Sequence, residues 1–181
     1  MRPNAPLREV HVALVGMAGS GKSVSNIFFF LKFIFFKDTY CRQDSVAGQP
    51  LMVWLMDTVD DAGRDEMRWL AWADVFLVMY FFHYYYYYYL IVWHIYRYAE
   101  NILERISKHE HLLCARDHKT ILLGNKNDLE RYRLVLTFLK ADGEAMASKY
   151  KAHFAESTAA GDPRPFSQLL HTTFQVTYFI K

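Results

Sequence analysis

A chain of 181 residues, 52% hydrophobic and 22% charged, is too apolar for a disordered segment and has room for one domain with a sizeable core but hardly for two. Its 21 Lys and Arg against 19 Asp and Glu leave a formal charge of only +2, which argues against a nucleic-acid partner, because such a surface needs a dense basic stripe. The two cysteines, Cys41 and Cys114, have neither metal-ligand spacing nor a disulfide framework, so both are expected as free thiols of a reducing compartment.

The first predicted element is a buried strand over Glu9–Val15, EVHVALV, rich in apolar and β-branched residues and ended by Gly16. A helix is expected to open at Lys22-Ser23. Further apolar runs predict strands at Leu51–Met56, stopping at Asp57, at Val75–Tyr80, and at Thr120–Leu123, ending in Gly124-Asn125-Lys126. Between Leu136 and Tyr150 the pattern turns helical; His153–Ala155 is a short strand candidate, and Phe166, Leu169, Leu170 and Phe174 recur at helical spacing behind Pro163 and Pro165. Strands alternating with helical stretches predict an α/β fold with a mostly parallel sheet flanked by helices. Ligands of such sheets sit beyond the carboxyl ends of the strands, where the polar punctuation of this chain falls.

Two motifs lie at that edge. Gly16-Met17-Ala18-Gly19-Ser20-Gly21-Lys22-Ser23 fits the phosphate-loop pattern G-x-x-x-x-G-K-[ST]. Its glycines let the backbone curl so that successive N–H groups, those of Ala18, Gly19 and Ser20 among them, face a phosphate. Lys22 supplies a mobile point charge to the phosphates, Ser23 a hydroxyl to Mg²⁺, and the helix that follows its positive dipole end. The second motif is Asn125-Lys126-Asn127-Asp128. The carboxylate of Asp128 can accept two hydrogen bonds from the guanine edge, a donor pair that adenine lacks. Asn125 is placed to brace the loop, and the aliphatic stem of Lys126 to cover the base.

With these motifs the chain resembles the Ras superfamily of small GTPases, a single P-loop (Ras-like G) domain, and within it the branch of Ras-like family member twelve and the estrogen-regulated growth inhibitor. The likeness runs over the first two dozen residues, Lys37–Tyr80 and Thr120 to about Phe174. It implies GTP and GDP as ligands with Mg²⁺, hydrolysis of GTP aided by the charge of Lys22, a role in cytoplasmic signalling, a monomer, and effector or regulator proteins that the sequence does not identify. It also implies that Thr158 and Ala159, in Glu156-Ser157-Thr158-Ala159, support the guanine, and that Asp57 holds the Mg²⁺ shell through water alongside Ser23. The termini carry neither a myristoylation glycine nor a prenylation box, so no lipid anchor is expected.

The family pattern is broken in three places. Asp57-Thr58-Val59-Asp60 lacks the glycine expected three residues after the aspartate; the rival register Asp60-Asp61-Ala62-Gly63 restores it, but LMVWLM stops at Asp57, which is preferred. No glutamine follows to orient an attacking water, so hydrolysis is expected to be slow, with a hydrolysis-deficient nucleotide-binding scaffold and an unstable family member as alternatives. Thr39, in Lys37-Asp38-Thr39-Tyr40, does not align with the family's first-switch threonine. Residues 1–181 read as one domain in which the aromatic segments 24–36, 81–98 and 176–181, including six consecutive tyrosines at Tyr84–Tyr89, stand apart as foreign to the family. A membrane span over Val75–Tyr96 is disfavoured, because adjacent phenols need polar partners and tyrosine prefers the interface; the tyrosine run reads instead as an exposed, aggregation-prone strand or helix.

Overall fold

The computed structural model describes residues 7–22, 34–36, 39–58, 66–81, 89–112, 118–125, 140–157 and 164–178. Its first strand, β1 (Arg8–Gly16), is apolar on both faces: Val10, Val12 and Leu14 point to one side, Ala13 and Val15 to the other. A strand of that kind must lie inside a sheet with both faces covered. β1 pairs in parallel with β4 (Gln49–Asp57) on one side and β5 (Val75–Phe81) on the other. The order is completed by β2 (Ile34–Phe36), β3 (Thr39–Val46), β6 (Lys119–Asn125) and β7 (His153–Glu156), giving β2-β3-β4-β1-β5-β6-β7. The pairings of β1 with β4, β1 with β5, β5 with β6 and β6 with β7 are parallel, whereas β2–β3 and β3–β4 are antiparallel. The mostly parallel α/β sheet expected from the sequence is therefore present, with an antiparallel margin that was not foreseen.

That margin is made by a tight hairpin. Val46 faces Gln49 across Ala47 and Gly48, both with positive φ (51° and 76°), the geometry that a two-residue turn between twisted strands requires.

Helices cover the two faces. α1 (Glu66–Trp72), α2 (Tyr89–Leu112) and α3 (Lys140–Lys149) lie on the face of Ala13, Phe76 and Leu122, burying Trp69, Leu70, Ile95, Ala99, Ile102, Leu103, Ile106, Met146 and Ala147. α4 (Arg164–Tyr178) seals the other face with Leu170 and Phe174. Each Leu, Ile, Met or Phe side chain so buried contributes about 1.5–3 kcal/mol. Lys149 of α3 donates to Glu100 of α2 at 2.8 Å; that hydrogen bond holds the glutamate below its ordinary value and pushes the lysine up to about 12.

The aromatic segments enter the fold at four places, one of them Phe81 at the end of β5. Ile34–Phe36 forms the edge strand β2, Tyr89–Tyr98 opens α2 with Ile95 buried and Trp93 exposed, and Val176–Tyr178 ends α4. Tyr84–Tyr88 lies outside the described residues, as does Cys114; Cys41 is free. Val75–Phe81 is an interior strand, and no helix among the described residues is long and apolar enough to cross a membrane.

One polar cluster joins the hairpin to α4. The Asp44 carboxylate accepts from His171 at 3.1 Å, from the Ser45 N–H at 2.8 Å and from Arg42. Burial pushes the Asp44 carboxyl up, but these three donors outweigh it and hold the group below its ordinary value. A depressed carboxyl contributes stability that is complete above its unfolded value of about 3.9 and is lost as pH falls through the folded value. Asp44→Asn is accordingly expected to lower the unfolding free energy by about 1 kcal/mol at neutral pH. Urea titrations at pH 7 and pH 3 check this; a deficit that does not shrink in acid would remove the ionised carboxylate from the explanation.

Candidate functional site

The parallel register brings the carboxyl ends of β1, β4, β6 and β7 to one edge of the sheet, so Gly16, Asp57, Asn125 and Glu156 meet there although they lie far apart in the chain.

Gly16 ends β1 with no room for a side chain: an added Cβ would stand 2.4 Å from the Met79 carbonyl oxygen and 2.9 Å from the Ser20 hydroxyl. The chain then turns, closed by the Ser20 N–H donating to the Met17 carbonyl at 3.1 Å, and passes through Gly19 (φ 80°) and Gly21 (φ 93°). Both values lie in the left-handed region, which costs a residue bearing a Cβ about 1–2 kcal/mol. Gly21 carries a second constraint, since an added Cβ would stand 2.2 Å from Nδ2 of Asn125. Gly19 has only open space before it.

Lys22 follows and is buried, 8% exposed. Its ammonium donates to the Gly16 carbonyl and, at 3.0 Å, to the Met17 carbonyl. A desolvated ammonium that donates to these two loop carbonyls favours a nearby anion strongly, because the interior dielectric screens it less than water does.

Asn125 closes the other half of the site. At the end of β6 and 1% exposed, it donates from Nδ2 to the Ser20 carbonyl at 2.8 Å, a bond linking residues 105 apart in sequence. Its Oδ1 and the Ser20 hydroxyl are buried without a hydrogen-bond partner among the described residues. An unpaired buried polar atom costs about 1–3 kcal/mol, so the two mark a place where polar groups beyond the described residues are needed. Beside it, the Ser157 N–H donates to the Gly124 carbonyl at 2.8 Å and fixes the exit from β7.

Asp57 ends β4, directly across from Leu14 of β1, and is half-buried. The next residue, Thr58, was not singled out in the sequence. Its N–H and its hydroxyl both donate to the Leu14 carbonyl, at 3.2 and 2.7 Å, and so pin the exit of β4 against the start of the glycine-rich loop. A hydroxyl residue directly after a strand-end aspartate was the available signal.

Of the residues selected from sequence, the structure thus gathers Gly16, Ala18, Gly19, Ser20, Gly21, Lys22, Asp57 and Asn125 at one edge. Ser23, Lys126, Asp128, Thr158, Ala159 and the rival Asp60 lie outside the described residues. The described part is a cradle that side chains would fill, lined by backbone and by one buried ammonium, with a carboxylate at its rim. Such a cradle fits a polyanion, and its rim carboxylate suits a hard cation that carries most of its own water.

The sequence is similar to that of known proteins. The Ras family pattern matches residues 11–175. Ras-like protein family member 12 of Danio rerio is 34% identical over 170 residues, covering 90% of this chain and 62% of the relative. The Homo sapiens protein of the same name is 33% identical over 175 residues, covering 93% of this chain and 61% of the relative. The Ras-related and estrogen-regulated growth inhibitor of Homo sapiens is 28% identical over 159 residues, covering 83% and 72%. The chain therefore spans about three-fifths of the length of the family member 12 relatives. A match running from inside β1 to inside α4, together with identity above 30% across most of the chain, leads to one conclusion: this chain belongs to the Ras family.

Proposed function

We propose that residues 1–181 form one G domain that binds GDP and GTP with Mg²⁺ and hydrolyses GTP slowly. The observation that carries this reading is the Asn125–Ser20 hydrogen bond, which ties the end of β6 to the glycine-rich loop and makes one continuous site of the two motifs. In this reading the backbone amides of Gly16, Ala18, Gly19, Ser20 and Gly21 surround the phosphates, and the Lys22 ammonium exchanges its loop carbonyls for phosphate oxygens. Asp128 reads the guanine edge under the stem of Lys126, with Asn125, Thr158 and Ala159 holding the loops around it. Ser23 and Asp57 hold Mg²⁺, which when bound neutralises phosphate charge. In turnover a water oxygen bonds to the γ-phosphorus as the bond to the β–γ bridging oxygen breaks, and Lys22 and the amides stabilise the charge that passes to that oxygen. No nucleic-acid surface is part of the proposal, and the expected setting is a cytoplasmic monomer acting on effector proteins through its nucleotide state.

A second reading is favoured by one observation: no glutamine follows Asp57, and Thr58 is occupied in pinning β4 to β1. The chain is then a guanine-nucleotide-binding scaffold without useful turnover.

Calorimetric titration tests the common part of both readings. Mg²⁺–GDP is expected to bind at least about tenfold more tightly than Mg²⁺–ADP, about 1.4 kcal/mol, from the Asp128 contact. Equal affinities would sink the guanine assignment. Phosphate release in a single turnover then separates the readings: a rate no faster than that of Lys22→Ala at saturating GTP selects the scaffold.

A further inference from the structure

Far from the glycine-rich loop, at the amino ends of β6 and β7, a cavity of about 350 Å³ opens between α2 and α4. That volume lies at the lower end of the ~300–1,000 Å³ range of small-molecule sites. Its floor is apolar, made by Leu103, Ile106, Ile121 and Leu169, the first three of them almost completely buried. Its rim has a different character. Lys119, Lys151 and His153 stand exposed around the mouth, and His118 joins them, its ring set edge-on against Phe76 at 5.1 Å between centroids. No carboxylate is among the lining residues, and neither Lys119 nor Lys151 makes an ion pair with another described residue. The hydroxyls of Ser107 and Thr120 sit between floor and rim.

An apolar floor beneath a rim carrying two lysines, with no carboxylate among the described lining residues, is complementary to a molecule of the opposite pattern. The floor gains by removing an apolar body from water, at about 25 cal/mol per Å² covered, while the lysines and imidazoles offer donors to an anion. A neutral apolar ligand would offer the two ammonium groups at the rim no charge to pair with. A cationic ligand would add a third positive charge.

We propose that this cavity is a second binding site of the chain, independent of the glycine-rich loop, for a small amphipathic anion: a carboxylate or phosphate monoester on a short apolar body. The site does not depend on the nucleotide-binding reading, because its walls share no residue with the glycine-rich loop.

The test is methyl NMR of the full chain, with Ile106, Ile121 and Leu169 as reporters, titrated separately with sodium octanoate, octyl phosphate and 1-octanol. Saturable shifts at these methyls are expected with an anionic probe, at an affinity at least about tenfold above that for octanol. The tighter of octanoate and octyl phosphate identifies the head group. The double variant Lys119→Gln/Lys151→Gln, altered at two exposed positions that leave the core intact, is expected to weaken anion binding at least about fivefold while leaving octanol unaffected. Thr172→Trp, on the α4 wall, is expected to block all three probes. The proposal is overturned by the absence of saturable shifts, by octanol binding as tightly as both anions, or by anion affinity unchanged in the double lysine variant.

Discussion

Replacing Lys22 by alanine is expected to weaken Mg²⁺–GDP binding at least about a hundredfold, about 2.8 kcal/mol. The magnitude follows from burial. Lys22 is 8% exposed and its ammonium donates to two carbonyls of its own loop, so the positive charge is already largely desolvated and positioned before any anion arrives. An exposed lysine would contribute a few tenths of a kcal/mol to the same contact; a buried, charge-assisted one contributes about 2–5. Lys22→Arg is expected to rescue little, because a planar guanidinium cannot occupy the point between the Gly16 and Met17 carbonyls that a compact ammonium fills. Titration of each variant by calorimetry, with far-UV circular dichroism to establish folding, measures the effect. Retention of GDP affinity within about threefold in a folded Lys22→Ala protein would remove the ammonium from the phosphate contact.

The second large effect is on stability and comes from comparing two glycines. Gly19 and Gly21 have similar backbone angles, but only Gly21 faces the Asn125 amide, at a separation no Cβ can keep. Gly19→Ala is expected to cost about 1–2 kcal/mol, the left-handed penalty alone. Gly21→Ala adds the loss of the Asn125–Ser20 hydrogen bond, leaving buried groups unpaired, for about 3 kcal/mol in all. Urea unfolding of the two variants gives the difference directly. With Asn125 already replaced by alanine, Gly21→Ala is expected to fall to the cost of Gly19→Ala, since residues sharing one contact are not additive. Equal costs for the two glycine variants in the parent chain would dissolve the contact on which the joined site rests.

The strands that carry the site were legible because each is a short apolar run that stops at a polar residue, and in a parallel sheet that stop is the ligand edge. β1, β4, β6 and β7 were found this way and β5 from its apolar run alone, with ends within two residues of those observed. β3 was not, because Thr39–Val46 borders the sheet margin and mixes exposed and half-buried positions, so Arg42, Gln43 and Asp44 interrupt any apolar run. α2 was hidden for another reason. Its buried stripe of Ile95, Ala99, Ile102, Leu103 and Ile106 has helical spacing, but it begins inside an aromatic stretch whose composition drew attention away from its period. In the candidate site, the glycines and Lys22 could be selected from spacing alone. The partner of Asn125 could not, because Ser20 lies 105 residues away and only the β1–β5 and β5–β6 pairings together bring the two close. Thr58 escaped for the same reason, since its acceptor belongs to β1.

The position of β1 in the sheet also governs the order in which the molecule can assemble. Both neighbours of this greasy strand come later in the chain, β4 as the second arm of the antiparallel hairpin and β5 after α1. During synthesis β1 therefore waits, unpaired and apolar on two sides, until Asp57 and then Phe81 have left the ribosome. Contacts so distant along the chain make for slow folding, and the stretch before they close is when this protein is most exposed to sticking to its neighbours.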